Sequence, residues 1–279
     1  MSEYEDLNKT LVLEPIEVNL FRGYSPDDAR GRIFGGQVIG QALFAAFRTV
    51  EGLICHSMHC YFIRPGDPKA PVLYQVERAR DGKSFATRRV AAIQHGEQIF
   101  NLAASFQVPE QGFEHQFAMP DVPGPEELEG ETEERIAKMP PQVQGFARRR
   151  PFEMRPVGLY DEGGVPNSGF SAWVRTKADL GDDITFNQAV MAHVSDAGIL
   201  EASMRPHDVR FWTPGMQCAS LDHAMWFHRP AHMRDWHLYV QDSPSASGAR
   251  GFTRGSFYSR DGVLVASVAQ EGLIRQREV

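Results

Sequence analysis

At 279 residues the chain has room for one large domain or two ordinary ones, and 42% apolar residues supply a globular core. A net charge of −7 excludes a bulk nucleic-acid binder, which carries a basic footprint. No run of 18 apolar residues offers a spanning helix, and three cysteines without CxxC spacing fit a reducing compartment better than a disulfide framework.

The opening MSEYEDLNKT is acidic and lacks the charged-then-apolar pattern of a secretory signal, so a cytoplasmic location is expected. The first strong periodicity lies in GGQVIGQALFAAFRTV, residues 35–50. Ile39, Ala42, Leu43, Ala46, Phe47 and Val50 recur at helical spacing, which predicts a helix opening at Gly35 and Gly36. Residues 71–107 then read as strand, turn, strand, tight turn, strand, with His95-Gly96 at the tight turn. Residues 108–141 are rich in Pro and Glu and read as a connector, with a short helix expected around 126–138.

FEMRPV and SAWVRTKADL predict two opening strands for the second half. In FNQAVMAHVSDAGIL, Val190, Met191, Val194, Ala197 and Gly198 form a second helical stripe. The meander returns over residues 235–271, with Asp261-Gly262 as a two-residue hairpin signal. Two phrases tie the halves together: Tyr61-Phe62-x-Arg64-Pro65 and Trp226-Phe227-x-Arg229-Pro230, separated by 229 − 64 = 165 residues. From the repeated Arg to the last strand is 106 − 64 = 42 residues to Phe106 and 270 − 229 = 41 to Gln270. The shared register predicts a duplicated α+β unit, a curved antiparallel sheet around a central helix, over 1–107 and 151–279, with 108–150 between.

Asp196 falls opposite Val190 and Val194 on its helix, as either a solvated carboxylate or one placed at a helix–helix interface, where its cost demands a use. Gln270 alternates in phase with Leu264, Ala266 and Val268, so its amide faces apolar neighbours and needs partners. The first half offers Gln41 and Phe106 as their counterparts, so only the second half carries both polar groups. Ser220 alone reads as a turn residue at a strand start.

Several other patterns are weaker. CHSMHC, residues 55–60, puts Cys55 and His59 on one strand face and His56 and Cys60 on the other, so no metal site is expected. Asp222 and His223 are strand neighbours and cannot relay a proton directly. GGQVIG lacks the Lys-Ser/Thr of a phosphate loop. Arg148-Arg149-Arg150, Arg88-Arg89, and Arg250 with Arg254 are candidate anion clusters or solvated surface.

GRIFGGQVIGQAL, HSMHCYFIRPGD, DGKSFATRRVAAIQHG, EHQFAMP, SLDHAMWFHRP, SASGARGFTRGSFYSRDGVLVASVAQEG and the Ser195-Asp196 pair together carry a resemblance over nearly the whole chain. The chain resembles the acyl-CoA thioesterase II family. That implies a double hotdog fold, hydrolysis of fatty acyl-CoA to free acid and coenzyme A, no metal or organic cofactor, and association into dimers or tetramers. The family's catalytic trio falls on Asp196, Ser220 and Gln270. The enterobacterial form has Thr at the second place; Ser220 keeps the hydroxyl and loses one methyl. The expected chemistry is attack by a water held by these three, with Gly35 and Gly36 as main-chain donors to the oxyanion; a covalent Asp196 intermediate is the rival route. Two other functions remain open. One is a hotdog-type enoyl-CoA hydratase or dehydratase, which needs a His-Asp couple near a helix start; His193 is the nearest histidine to Asp196. The other is a non-catalytic acyl-CoA binding protein.

Overall fold

The repeated phrases end matched strands and solve the same hydrogen-bonding problem twice. In a computed structural model, which describes residues 3–26, 31–130, 132–157 and 169–277 (backbone alone at 3–6), Ile63 N–H donates to the Ile99 carbonyl and Arg64 Nη1 to the Gln98 carbonyl, at 2.9 and 2.8 Å. In the second half His228 N–H donates to Val265 and Arg229 Nη1 to Leu264, both at 2.9 Å. A guanidinium thus satisfies carbonyls where a strand pair opens, and the proline that follows has no N–H to pair. Tyr61 and Trp226 face outward while Phe227 is buried and Phe62 half-buried, as alternation requires.

The first unit runs α1 (Glu3–Leu11), β1 (Glu14–Glu17), β2 (Leu20–Gly23), α2 (Gly35–Phe47), β3 (Ile54–Phe62), β4 (Val72–Asp81), β5 (Phe85–Gln94) and β6 (Glu97–Gln107). The connector carries α3 (Glu133–Lys138) and α4 (Pro141–Arg149). The second unit follows with β7 (Phe152–Val157), β8 (Phe170–Thr176), α5 (Ile184–Ser195), β9 (Met216–Ser220), β10 (Asp222–Phe227), β11 (His237–Ser247), β12 (Arg250–Ser259) and β13 (Leu264–Gln276). All pairings are antiparallel, and the path β1-β2-β4-β5-β6-β3-β10-β13-β12-β11-β8-β7 reads alike outward from a β3–β10 seam; β9 pairs with the far end of β13. This is the expected double hotdog.

The two central helices lie inside the curve and touch each other. α2 is buried along nearly its whole length, and Ile39 and Leu43, wholly excluded from water, each contribute about 1.5–3 kcal/mol. Gln41 is tolerated there because its amide is fully used: Nε2 donates to the Thr10 and Tyr24 carbonyls, and Oε1 accepts from Tyr74 Oη. Added Cβ atoms would lie 2.2 Å from the His193 carbonyl at Gly36 and 3.0 Å from the Ala189 carbonyl at Gly40. The pairs 36–193 and 40–189 run in opposite directions, so the helices are antiparallel. Asp183 caps α5, accepting from Thr185 N–H at 2.9 Å and Phe186 N–H at 3.4 Å.

Four local expectations change. His95 and Gly96 make the left-handed pair of a two-residue turn (φ 50° and 78°), but at Asp261-Gly262 only Gly262 is left-handed (φ 79°). There Ser259 N–H reaches the Val263 carbonyl, so the loop is longer; the two-residue turn of the second unit is Gly248-Ala249 (φ 56° and 59°). The connector's α-helix begins at Glu133, after a 3₁₀ turn at Pro125–Glu127, and α4 was not signalled because Pro and Gly mask its periodicity. In CHSMHC a bulge between Cys55 and Ser57 shifts the alternation, so Cys55, Met58 and Cys60 all face inward and His59 outward. The arginine clusters are engaged elsewhere. Arg88 is buried against Thr49 and Asp81, Arg148 pairs with Glu133, Arg250 with Glu271 and Arg254 with Asp242.

Candidate active site

Asp196 is the C-cap of α5, and the helix end that presents it is tightly held. Tyr239 Oη donates to the Ser195 carbonyl at 2.7 Å, and its ring stacks on Phe257 at 3.9 Å. Gly255 leaves room for that ring, since a Cβ there would lie 2.5 Å from it. Burial, with the Asp196 charge adding to it, pushes the Tyr239 phenol well above its usual range, so it stays a donor. Facing Asp196 is the start of α2, whose N-cap residue Phe34 makes no side-chain cap. A Cβ on Gly35 would lie 2.7 Å from Asp196 Oδ2. The carboxylate therefore rests against an open helix start, where partial positive charge favours an anion.

Ser220 is the last residue of β9, at a step in the sheet. Leu221 N–H donates to Glu271, while the Leu221 carbonyl accepts from Phe62 N–H, both at 2.9 Å. The step leaves the Ser220 hydroxyl facing inward, donating to Asp196 Oδ1 at 3.2 Å. Gln270, on β13, donates from Nε2 to Ser220 Oγ at 3.0 Å. Its Oε1 meets His223 Nδ1, and His223 Nε2 lies 2.9 Å from Ser195 Oγ. The structure thus brings Asp196, Ser220 and Gln270 into one chain of hydrogen bonds and adds His223 and Ser195 behind it.

His223 is the residue that sequence reasoning passed over. Asp222 does point away, accepting from Glu271 N–H at 2.7 Å, so there is no Asp-His relay. The usable signal was phase: His223 alternates with Met225 and Phe227, which are both buried. Burial lowers the His223 pKa to about 4, against a smaller upward pull from Gln270, so the ring is neutral. Ser195 beside a histidine suggests a nucleophile, but Ser195 is wholly buried and does not line the cleft. His193 does not line it either; its ring packs edge-on against Phe34 and Phe152.

The cleft has a volume of about 800 Å³. Asp196, Ser220, Gln270 and Gly35 line it, whereas Gly36 does not; Gly36 lacks a side chain because α5 is in the way. Phe34, Val38, Phe62 and Phe146 make an apolar wall, to which α4 of the connector contributes. Among the described residues that line it, Asp196 is the one carboxylate and Arg32 and Arg64 the two cations. Chemically this is an apolar slot ending in an acceptor, a hydroxyl and an amide.

The first unit has no such set, although the counterparts differ from those expected. Counted from the helix ends, the C-cap position of Asp196 belongs to Arg48 of α2, not Gln41. Ala224 pairs with Ala269 as His59 pairs with Ala103, so the place of Gln270 is Ala104 rather than Phe106.

A family model described as acyl-CoA thioesterase matches residues 142–273, and one described as acyl-CoA thioesterase N-terminal domain matches residues 25–107. The chain is 41% identical over 276 residues to acyl-CoA thioesterase 2 of Haemophilus influenzae, covering 96% of each chain. It is 42% identical over 292 residues to human acyl-coenzyme A thioesterase 8, covering 97% of this chain and 90% of that one. The crystal structure of an acyl-CoA thioesterase II, TesB2, from Mycobacterium marinum superposes with a TM-score of 0.82 at 40% identity, over 98% of this chain and 99% of that one. Matched in both units and along nearly its full length, the chain belongs to the acyl-CoA thioesterase II family.

Proposed function

We propose that this chain hydrolyses fatty acyl-CoA thioesters by direct attack of a water that Asp196, Ser220 and Gln270 hold. The observation that carries this reading is the continuous Asp196–Ser220–Gln270 hydrogen-bond chain lining an apolar cleft. Asp196 accepts the water's proton as the new C–O bond forms at the thioester carbonyl. The carbonyl electrons pass to oxygen, for which the Gly35 N–H at the start of α2, in the cleft lining, is the candidate donor. Collapse of that oxyanion breaks the C–S bond, and the leaving thiolate takes the proton from Asp196. Ser220 and Gln270 fix where the water sits, which lowers the entropic part of the barrier. The aromatic wall suits an acyl chain, and Arg32 and Arg64, which also bond the Cys218 and Gln98 carbonyls, are the cations in the cleft lining that an anionic coenzyme would meet. The position of His193 among aromatic rings, outside the cleft lining, supports hydrolysis over a hydratase that needs a His-Asp couple.

The test is thiol release from short to long acyl-CoAs by the wild type and by Asp196→Asn. The variant is expected to lose about a hundredfold or more in kcat on every chain length. Turnover close to wild type would remove Asp196 from the mechanism.

A further inference from the structure

We propose that His223 is a positioning residue for the hydrolysis: by donating from Nδ1 to Gln270 Oε1 it locks the Gln270 amide with its NH₂ toward Ser220, and so aims the Ser220 proton at Asp196. The inference rests on the reading of Asp196, Ser220 and Gln270 given above and deepens it.

The argument is one of proton directions. A carboxylate can only accept, so the single proton of Ser220 goes to Asp196 at 3.2 Å. Ser220 Oγ must then accept from its other neighbour, Gln270, which lies 3.0 Å away. That turns the amide nitrogen toward Ser220 and its oxygen toward the ring, so His223 Nδ1 must carry the hydrogen. Nε2 is left as an acceptor, so the single proton of Ser195 Oγ, 2.9 Å away, has two acceptors within reach, Nε2 and the Ala192 carbonyl at 2.8 Å. The other orientation of Gln270 would put two acceptors face to face at Ser220 or strip Asp196 of its donor. A glutamine amide has nearly equal shapes in its two orientations, so its hydrogen-bond partners choose between them, Ser220 at Nε2 and His223 at Oε1.

His223 and Gln270 are each about 1% exposed, so water does not compete for that choice. Burial holds the ring neutral with one N–H, as the network requires. His223 itself does not line the cleft, so it acts on the reaction only through Gln270.

Substitution separates positioning from bulk structure. His223→Asn keeps a donor near the Nδ1 position, His223→Gln moves its donor toward Nε2, and His223→Leu has none. We expect His223→Leu and His223→Gln to lose roughly tenfold or more in kcat with KM within about twofold, and His223→Asn to stay within about threefold of wild type. In a Gln270→Ala background, His223→Leu should change kcat by less than about twofold, because its target is gone. Wild-type kcat in folded His223→Leu, equal losses in the Asn, Gln and Leu variants, or an undiminished loss in the Gln270→Ala background would each overturn the proposal. If His223→Leu does not fold, the contrast between Asn and Gln decides. Asp196→Asn is assayed alongside. Full activity there sinks the underlying trio, whereas its loss together with unchanged kcat in His223→Gln sinks only the positioning role.

Discussion

A histidine that stays neutral inside a protein makes the fold sensitive to acid. His223 titrates at about 4 in the folded chain and near its ordinary 6.5 when unfolded. Between those values the unfolded state binds a proton that the folded state refuses, so stability is complete above pH 6.5 and falls as pH drops toward 4. The loss from this group is on the order of 3 kcal/mol by pH 4. His56, His228 and His237, also lowered chiefly by burial, push the same way. Denaturant midpoints measured from pH 7 to pH 4.5 should fall steadily in the wild type and less steeply in His223→Asn. An identical slope in the two would show that His223 is protonated without cost.

At this scale the sequence was readable where one side chain broke a pattern. Gln270 stood out among in-phase apolar residues, and it is buried as that phase demands. Asp196 was visible as polar on an apolar helix, though its role as the cap depends on where α5 stops. Ser220 was not readable from the residues. Its inward hydroxyl depends on the step at Leu221, and nothing in a run of alternating residues marks a step.

Between elements, the decisive contact is α2 against α5. A glycine at a helix start permits close approach, which makes Gly36 a candidate main-chain donor to substrate. The close approach exists, but the partner is the α5 backbone. Gly36 and Gly40, one helical turn apart, form the strip on which α5 lies. A side chain at Gly36 would wedge the helices apart, and the same displacement would draw Asp196 away from Gly35. Gly36→Ala is therefore expected to cost about 1–3 kcal/mol in unfolding free energy and to lower kcat as well. Chemical denaturation and thiol release measure the two. Loss of stability with unchanged kcat would show that the helix ends move independently of their spacing.

Across the whole molecule, duplication was legible because both copies had to keep an arginine where a strand pair opens. The β3–β10 seam was not legible. Its register, with Ala224 opposite His59, joins strands more than 150 residues apart, and no local pattern sets it. The path taken by the connector was hidden for a similar reason. Gln116 bonds the Gly262 carbonyl at 2.7 Å and Trp173 Nε1 the Pro123 carbonyl at 2.9 Å, so a segment poor in periodicity is ordered by the surface it crosses.

Two antiparallel helices create two places where the start of one meets the end of the other. At one, the first turn of α2 has no side-chain cap and Asp196 stands before it. At the other, Asp183 has already claimed the Thr185 and Phe186 amides of α5. The ancestral symmetry is thus closed off at one end by a single intramolecular plug. Calorimetric titration with a non-hydrolysable acyl-CoA analogue should saturate at one equivalent per chain; two equivalents would mean that the plugged end still receives ligand.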